Sequence, residues 1–137
     1  MRAVVLMGAL MGALMGALVL GGACRSEPGT NALALAPGDP GAPVQTYFDA
    51  LAGADCPKLR ASIGGEAEAS ILAVGCAGAF QQFAEHPTKL MGVESIAADG
   101  RDPTLRLVRA RVRVGDAERV VVIGVRAMNG SWRVVRI

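Results

Sequence analysis

Three cysteines and a single histidine are the residues of this chain best suited to chemistry. A cysteine can carry a lipid, form a disulfide, act as a nucleophile, or bind zinc together with histidine. Cys56, Cys76 and His86 lack the close spacing of a zinc site and no fourth ligand suggests itself, which disfavours a metal. His86 precedes Pro87 at a predicted helix end, where a solvated histidine is more typical than a catalytic base. We therefore predict no catalytic residue, no metal site and no cofactor.

Cys24 closes an N-terminal stretch with the parts of an export signal: a charged start at Arg2, then an uncharged apolar run ending in Gly-Gly-Ala. The stretch resembles the lipobox of bacterial lipoproteins, in which a diacylglycerol is attached to the cysteine by a thioether and the chain is cut before it. That pattern usually has leucine three residues before the cysteine, whereas Gly21 stands there and Leu20 one step earlier. The resemblance implies a signal peptide over residues 1–23 and a lipid-anchored, palmitate-bearing protein facing the periplasm or cell exterior.

A retained transmembrane helix is the alternative reading of this stretch. Residues 3–23 are 21 uncharged residues, about the number that crosses a hydrocarbon core. The repeated Met-Gly-Ala-Leu places Gly8, Gly12 and Gly16 on one helical face, a spacing that lets two membrane helices approach closely. The lipid anchor is favoured because Cys24 and its small neighbours have no role in a retained helix. Either anchor places the rest of the chain outside the cytoplasm.

With Cys24 assigned to lipid, Cys56 and Cys76 remain as an even pair in an oxidising compartment. A bridge between them would close a loop of about 20 residues and stabilise the fold by about 3 kcal/mol on the chain-entropy model. Two buried free thiols are the competing possibility. We predict the disulfide because so small a domain has a marginal core.

Residues 24–42 form the predicted tether between the lipid and the domain. They are rich in proline and glycine and hold few large apolar side chains, so they bury too little surface to offset the entropy of ordering. That leaves residues 43–137 as one small domain.

The first half of the domain is predicted to be helical. Pro43 suits the first position of a helix that ends at Gly53, and Asp55 is placed to cap a second, short helix. A third helix is predicted from Glu66 to about Glu85. One buried stripe along it is predicted to hold Leu72, Cys76, Phe80 and Phe83.

The second half is predicted to form about four antiparallel strands. Residues 90–98 read as the first strand, and the second changes its apolar face near Leu107 and Val108, which predicts a β-bulge there. Residues 119–128 are apolar on both faces, which predicts a central strand. Asn129-Gly130 predicts a two-residue type I′ turn into the last strand, residues 131–137.

Helices followed by a bent antiparallel sheet predict an α+β domain with the helices on one face. The order of elements resembles the nuclear transport factor 2-like (cone-shaped α+β) domains, especially small bacterial lipoproteins of that type. The resemblance rests on residues 44–56, a helix followed by a small-residue and Asp turn, and on residues 129–135, a hairpin that leads into a Trp strand. A cystatin-like arrangement with one helix is the nearest alternative.

That family's fold leaves a conical cavity between helices and sheet, which some members use for catalysis or ligands, while others pair as homodimers. The resemblance implies Tyr47 and Trp132 as candidate cavity-lining residues, with Asp49 as a further candidate. Tyr47 and Trp132 are more typical of core aromatic residues, whose polar atom finds a partner, than of ligand contacts. The other positions predicted to face inward are aliphatic, which disfavours an enzyme.

Charge is unevenly distributed over the predicted domain. Residues 101–137 hold nine arginines and three acidic residues, a balance of +6, whereas residues 43–100 hold three basic and seven acidic residues, a balance of −4. Arg109, Arg111 and Arg113 alternate along one strand and so share a face. This face is either the ordinary solvated side of a sheet or a docking surface for anionic lipid headgroups, an acidic cell-wall polymer or a protein.

Nucleic acid is disfavoured as a partner, because the strands lack interleaved aromatic residues for stacking bases. The sequence therefore predicts a membrane-tethered lipoprotein of the cell envelope whose domain is a non-catalytic binding or protein-interaction module. A small-molecule-binding or enzymatic cavity protein of the isomerase or dehydratase type is the alternative.

Overall fold

The structure is a computed structural model that describes residue 36 and residues 38–137. Three helices pack on one face of a four-stranded antiparallel sheet of order β1-β2-β3-β4, which confirms the predicted α+β class. The three helices differ from the single helix of the cystatin-like alternative. The elements are α1 (Ala42–Ala52), α2 (Cys56–Ser62), α3 (Gly65–Glu85), β1 (Thr88–Ala98), β2 (Leu105–Val114), β3 (Ala117–Met128) and β4 (Ser131–Arg136).

The starts of the first two helices follow from local sequence signals. Pro43 lies in the first turn of α1, where its missing N–H would have no helical partner in any case. The carboxylate of Asp55 accepts a hydrogen bond of 3.0 Å from the backbone N–H of Lys58, as predicted for the cap of α2. Leu59 and Ile63 follow this cap and are both fully buried.

Helix α3 is broken at Gly75, which has φ 72° and ψ 167°. The sequence predicts one buried stripe that includes Leu72. The prediction is wrong for Leu72, because its side chain is 59% exposed. Ile71 packs against the core before the break, whereas Cys76 and Phe80 do so after it. The break therefore changes which face of the helix is buried.

The prediction of a β-bulge near Leu107 and Val108 is wrong. Strand β2 pairs with β3 residue for residue over its whole length. Leu107 lies on the face away from the helices, whereas Val108 lies in the core, so the strand carries apolar side chains on both faces without an extra residue. The register shifts occur instead in β1, where Met91 and Glu94 are the extra residues opposite β2.

The last hairpin and the strand order match the sequence-based expectation. Asn129 has φ 51° and Gly130 has φ 79°, and positive values at both positions are what a type I′ turn requires. Strand β3 lies between β2 and β4, as its two apolar faces predicted. The outer edge of β4 is partly covered, because the N–H of Gly64 donates to the carbonyl of Val134 at 2.8 Å.

The core lies between the helices and the sheet and is filled by aliphatic and aromatic side chains. Burial of this apolar surface is the main force that holds the helices on the sheet. The largest fully buried side chains are Leu59, Ile63, Ile123, Val44, Val108, Val112, Val125 and Val134.

Candidate functional site

The N-terminal predictions fall outside the described residues. They comprise the signal peptide over residues 1–23, the lipid on Cys24 and most of the tether. The alternative membrane helix lies in the same stretch. Within residues 38–137, no helix is both long and apolar enough to cross a membrane.

The predicted cysteine pair comes together in the structure. Cys56 is the first residue of α2, and Cys76 directly follows the break in α3. Their Cα atoms are 5.7 Å apart and their sulfur atoms are within bonding distance, so the two residues are placed for a disulfide. The pair therefore links two helices that pack on the same core.

His86 lies at the C-terminal end of α3 with an exposed side chain. Its backbone carbonyl accepts a hydrogen bond of 3.2 Å from the hydroxyl of Thr88. In the part of the chain that the structure describes, no three His, Cys, Asp or Glu side chains are grouped so that they could hold a metal ion.

Tyr47, Trp132 and Asp49 line three different cavities. Tyr47 borders a cavity of 270 Å³ beside α3, and Trp132 borders one of 300 Å³ beside the start of α1. Asp49 borders a third of 460 Å³. The structure thus does not gather the three candidate side chains around one space.

Tyr47 and Trp132 each border a cavity, but both also belong to the hydrophobic core. Tyr47 is 8% exposed and packs edge-on against Phe48, with ring centroids 5.3 Å apart, and burial raises the pKa of its phenol above the ordinary value. Trp132 is also 8% exposed, and the guanidinium carbon of Arg106 lies 5.7 Å from its ring centroid. The indole N–H of Trp132 has no hydrogen-bond partner among the described residues.

Arg109, Arg111 and Arg113 lie on the outer face of the sheet, the face turned away from the helices. They alternate along β2 with core residues, and all three are exposed. Their partners across the strand pair are Val122, Val120 and Glu118 in turn. We call these six residues the arginine face.

Two of the three arginines are paired with glutamates. Arg111 donates from Nη2 to Glu94 Oε1 at 2.7 Å, and Arg113 donates from Nη2 to Glu118 Oε1 at 2.6 Å. The hydrogen bond from Arg113 lowers the pKa of Glu118 below its ordinary value. The hydrogen bond to Glu94 raises the pKa of Arg111 further above the physiological range. Arg109 forms no ion pair with another described residue, so it is the least neutralised cation of the row.

A groove lies between α1, the end of α3 and the β1–β2 end of the sheet, and we call it the α1–β1 groove. Its volume is 460 Å³, within the range of ligand-binding pockets. Both apolar and charged residues border it. Its lining residues are Gln45, Phe48, Asp49, Ala52, Phe83, Pro87, Thr88, Lys89, Leu90, Arg113 and Gly115.

Of the groove residues, the sequence reasoning had singled out Asp49 and Arg113 as candidates and had missed Lys89. Asp49 accepts a hydrogen bond of 2.8 Å from the side-chain amide of Gln45 one turn earlier in α1. Lys89 pairs with Arg113 in the β1–β2 register. No local sequence pattern predicts that Lys89 borders the same groove as Asp49, because this depends on how the helices cross the sheet.

Comparison of the chain with protein-family models, with curated proteins and with solved structures finds no match. The resemblance to nuclear transport factor 2-like domains therefore stays a prediction, whereas the α+β architecture rests on the structure itself.

Proposed function

We propose that this chain is an exported lipoprotein of the bacterial envelope whose domain is a non-catalytic interaction module. The observation that carries the proposal is the arginine face, on which three neighbouring arginines project from one strand of the sheet. The resemblance of residues 1–24 to a lipoprotein signal supports the anchor. A domain held at a membrane meets its partners at a high effective concentration, so a modest affinity is sufficient for function.

The composition of the arginine face supports an anionic partner. Val120 and Val122 are 45% and 50% exposed and lie beside the arginines, so a partner that covers the face buries apolar surface as well as pairing charges. Aliphatic side chains next to arginines are suited to an acidic protein surface, which can satisfy both. We therefore propose an acidic envelope protein as the partner.

Photo-crosslinking in cells tests the interaction. A photoreactive amino acid is placed at Val122 of the full chain, and the same amino acid at exposed Ala69 on α3 is the matched control. We expect a discrete protein adduct from position 122 alone, and we expect Arg109→Glu to weaken it. Equal patterns from both positions, or adducts unaffected by the charge reversal, would reject the arginine face as the interaction surface.

Metabolic labelling with a clickable palmitate tests the anchor. The wild-type chain should be labelled and should partition with membranes, whereas Cys24→Ser should not be labelled. Equal labelling of Cys24→Ser would remove the lipid anchor and leave the retained membrane helix as the explanation of the N-terminal stretch.

A further inference from the structure

We propose that the exposed side of α3 rests on the membrane that anchors the chain, with its apolar side chains at the boundary between lipid headgroups and acyl chains. This inference rests on the anchor of the proposed function, and it adds a contact between the folded domain and the bilayer. We call the contact surface the apolar ridge. Its members are all exposed, and they are Ala69, Leu72, Ala73, Val74 and Ala77.

The ridge is the outer side of a helix that is apolar on both sides. On the inner side of α3, Ala67 belongs to the hydrophobic core and Ile71 packs against it. On the outer side, Ala69, Leu72 and Ala73 follow at the spacing of one helical face, and Leu72 is 59% exposed. A helix that is apolar all round is normally buried. The outer side of α3 therefore presents apolar surface that the described part of the chain leaves uncovered.

No charged side chain interrupts the ridge. Residues 69–84 contain none, and the nearest charged residues are Glu68 before them and Glu85 after them. Val74, which directly precedes the break at Gly75, is 45% exposed. A surface helix usually carries charged residues on its solvent side, and an exposed apolar surface without them is typical of a protein or membrane contact.

The length of chain between the anchor and the domain favours the bilayer as the contact. Ala36 packs against the core, so the 12 residues from 24 to 35 separate the folded part of the chain from the anchor. Even fully extended, 12 residues span at most about 40 Å. The bilayer is thus always near the domain, and its high effective concentration allows a weak contact to be populated. A second copy or another protein is under no such constraint of distance.

The position of the ridge agrees with the arginine face as the partner surface. Helix α3 packs on one face of the sheet, and the arginine face is on the opposite one. A domain that rests on α3 turns its arginines away from the lipid and leaves them open to a protein. The contact itself needs no anionic lipid, because it places Leu72 and Val74 about 5–10 Å into the headgroup and acyl boundary through the hydrophobic effect.

Quenching of tryptophan fluorescence by brominated lipid tests the contact. The full-length protein is reconstituted in vesicles of phosphatidylcholine with brominated acyl chains, and vesicles without bromine are the reference. Leu72→Trp and Val122→Trp place an indole at exposed positions of the ridge and of the arginine face. The native Trp132 is buried, so the wild type gives the background. We expect a loss of fluorescence from Leu72→Trp that high salt does not change, and no loss from Val122→Trp beyond the background.

A charge placed in the ridge gives a second test. Val74→Trp should be quenched, and adding Leu72→Asp should reduce the quenching because a carboxylate resists transfer out of water. Ala61→Asp adds the same charge at an exposed position of α2, outside the ridge, and should leave the quenching of Val74→Trp unchanged.

The outcomes separate this proposal from the proposed function. Unquenched Leu72→Trp in protein that stays with the vesicles would overturn the ridge and leave the anchor in place. Quenching of Val122→Trp instead would assign the lipid contact to the arginine face and overturn both proposals. A chain that does not stay with the vesicles would reject the anchor, and the ridge with it. Loss of the protein adduct at position 122 with Leu72→Trp still quenched would reject only the arginine face.

Discussion

Glu94 of β1 reaches across the strand pair to Arg111 of β2, and its Oε1 accepts from Nε at 3.1 Å and from Nη2 at 2.7 Å. Glu94 is the extra residue of a β-bulge, because Val93 and Ser95 pair with consecutive residues of β2. The bulge thus gives β1 one additional side chain at the place where arginines line the neighbouring strand. This pairing reduces the positive charge of the arginine face without removing any arginine.

Removing this partner should strengthen the positive potential of the face. Glu94→Gln keeps the shape of the side chain but leaves Arg111 unneutralised, so we expect later elution of the full-length protein from a cation exchanger. Glu85→Gln makes the same change of net charge at the exposed end of α3 and is the control. Because Arg111 is at the surface, the thermal unfolding midpoint should change little in either variant. Identical elution of the two variants would show that Glu94 does not shield the face.

The disulfide placement of Cys56 and Cys76 predicts a stability that depends on redox conditions. Closing a loop with a sequence separation of 20 should contribute about 3 kcal/mol. A reducing agent should lower the urea midpoint of the wild type, whereas Cys56→Ser/Cys76→Ser should start low and show no response. Mass spectrometry of the unreduced protein should give a mass two hydrogens lower than that of the protein with both thiols free. Two free thiols in the exported protein would contradict the bridge.

Features set by neighbouring residues were readable from the sequence. Asp55 caps α2 and Asn129-Gly130 forms a type I′ turn because the required atoms lie within three residues of each other. The α+β class followed from the two hydrophobic periods, 3.6 in the first half and 2 in the second. These signals do not depend on the rest of the molecule.

Features set by distant residues were not readable in the same way. The change of apolar face in β2 predicts a bulge, but the structure has none there. Leu105 is only 3% exposed on the outer face, so that face of the sheet also buries apolar surface. The α1–β1 groove was missed for a similar reason. Phe48 is far in sequence from Phe83 and Lys89, and the three residues border one groove only once the helices pack on the sheet.

The break in α3 predicts a specific glycine requirement. Gly75 has φ 72° and ψ 167°, a combination essentially restricted to glycine, so Gly75→Ala should cost about 1–3 kcal/mol although the new Cβ meets no atom within 4 Å. Gly92→Ala is the control, because its Cβ also meets nothing but its φ is not in the positive range. It should leave stability unchanged or slightly raised. Urea unfolding measures the stability of both variants. Equal midpoints for Gly75→Ala and Gly92→Ala would show that position 75 accepts a side chain without strain.

The turn between β1 and β2 predicts a pH dependence at low pH. Asp102 accepts hydrogen bonds from the hydroxyl and backbone N–H of Thr104 at 2.6 and 2.9 Å, and from Arg126 at 2.7 Å. These contacts, those from Thr104 first, lower the pKa of Asp102 below its ordinary value. A lowered pKa in the folded state means that the contribution to stability is present above the unfolded pKa of about 3.9 and is lost as pH falls through the folded pKa.

Asp102→Asn should therefore be less stable than the wild type at neutral pH, and the difference should shrink as the pH falls below about 3.9. Arg126→Gln should lower stability less, because the Thr104 contacts remain. Urea unfolding at several pH values measures the first effect, and the carboxyl carbon shift of Asp102 measures its titration directly. A midpoint of that titration at or above 3.9 would contradict the role of these contacts, since the ionised carboxylate would then gain nothing from the fold.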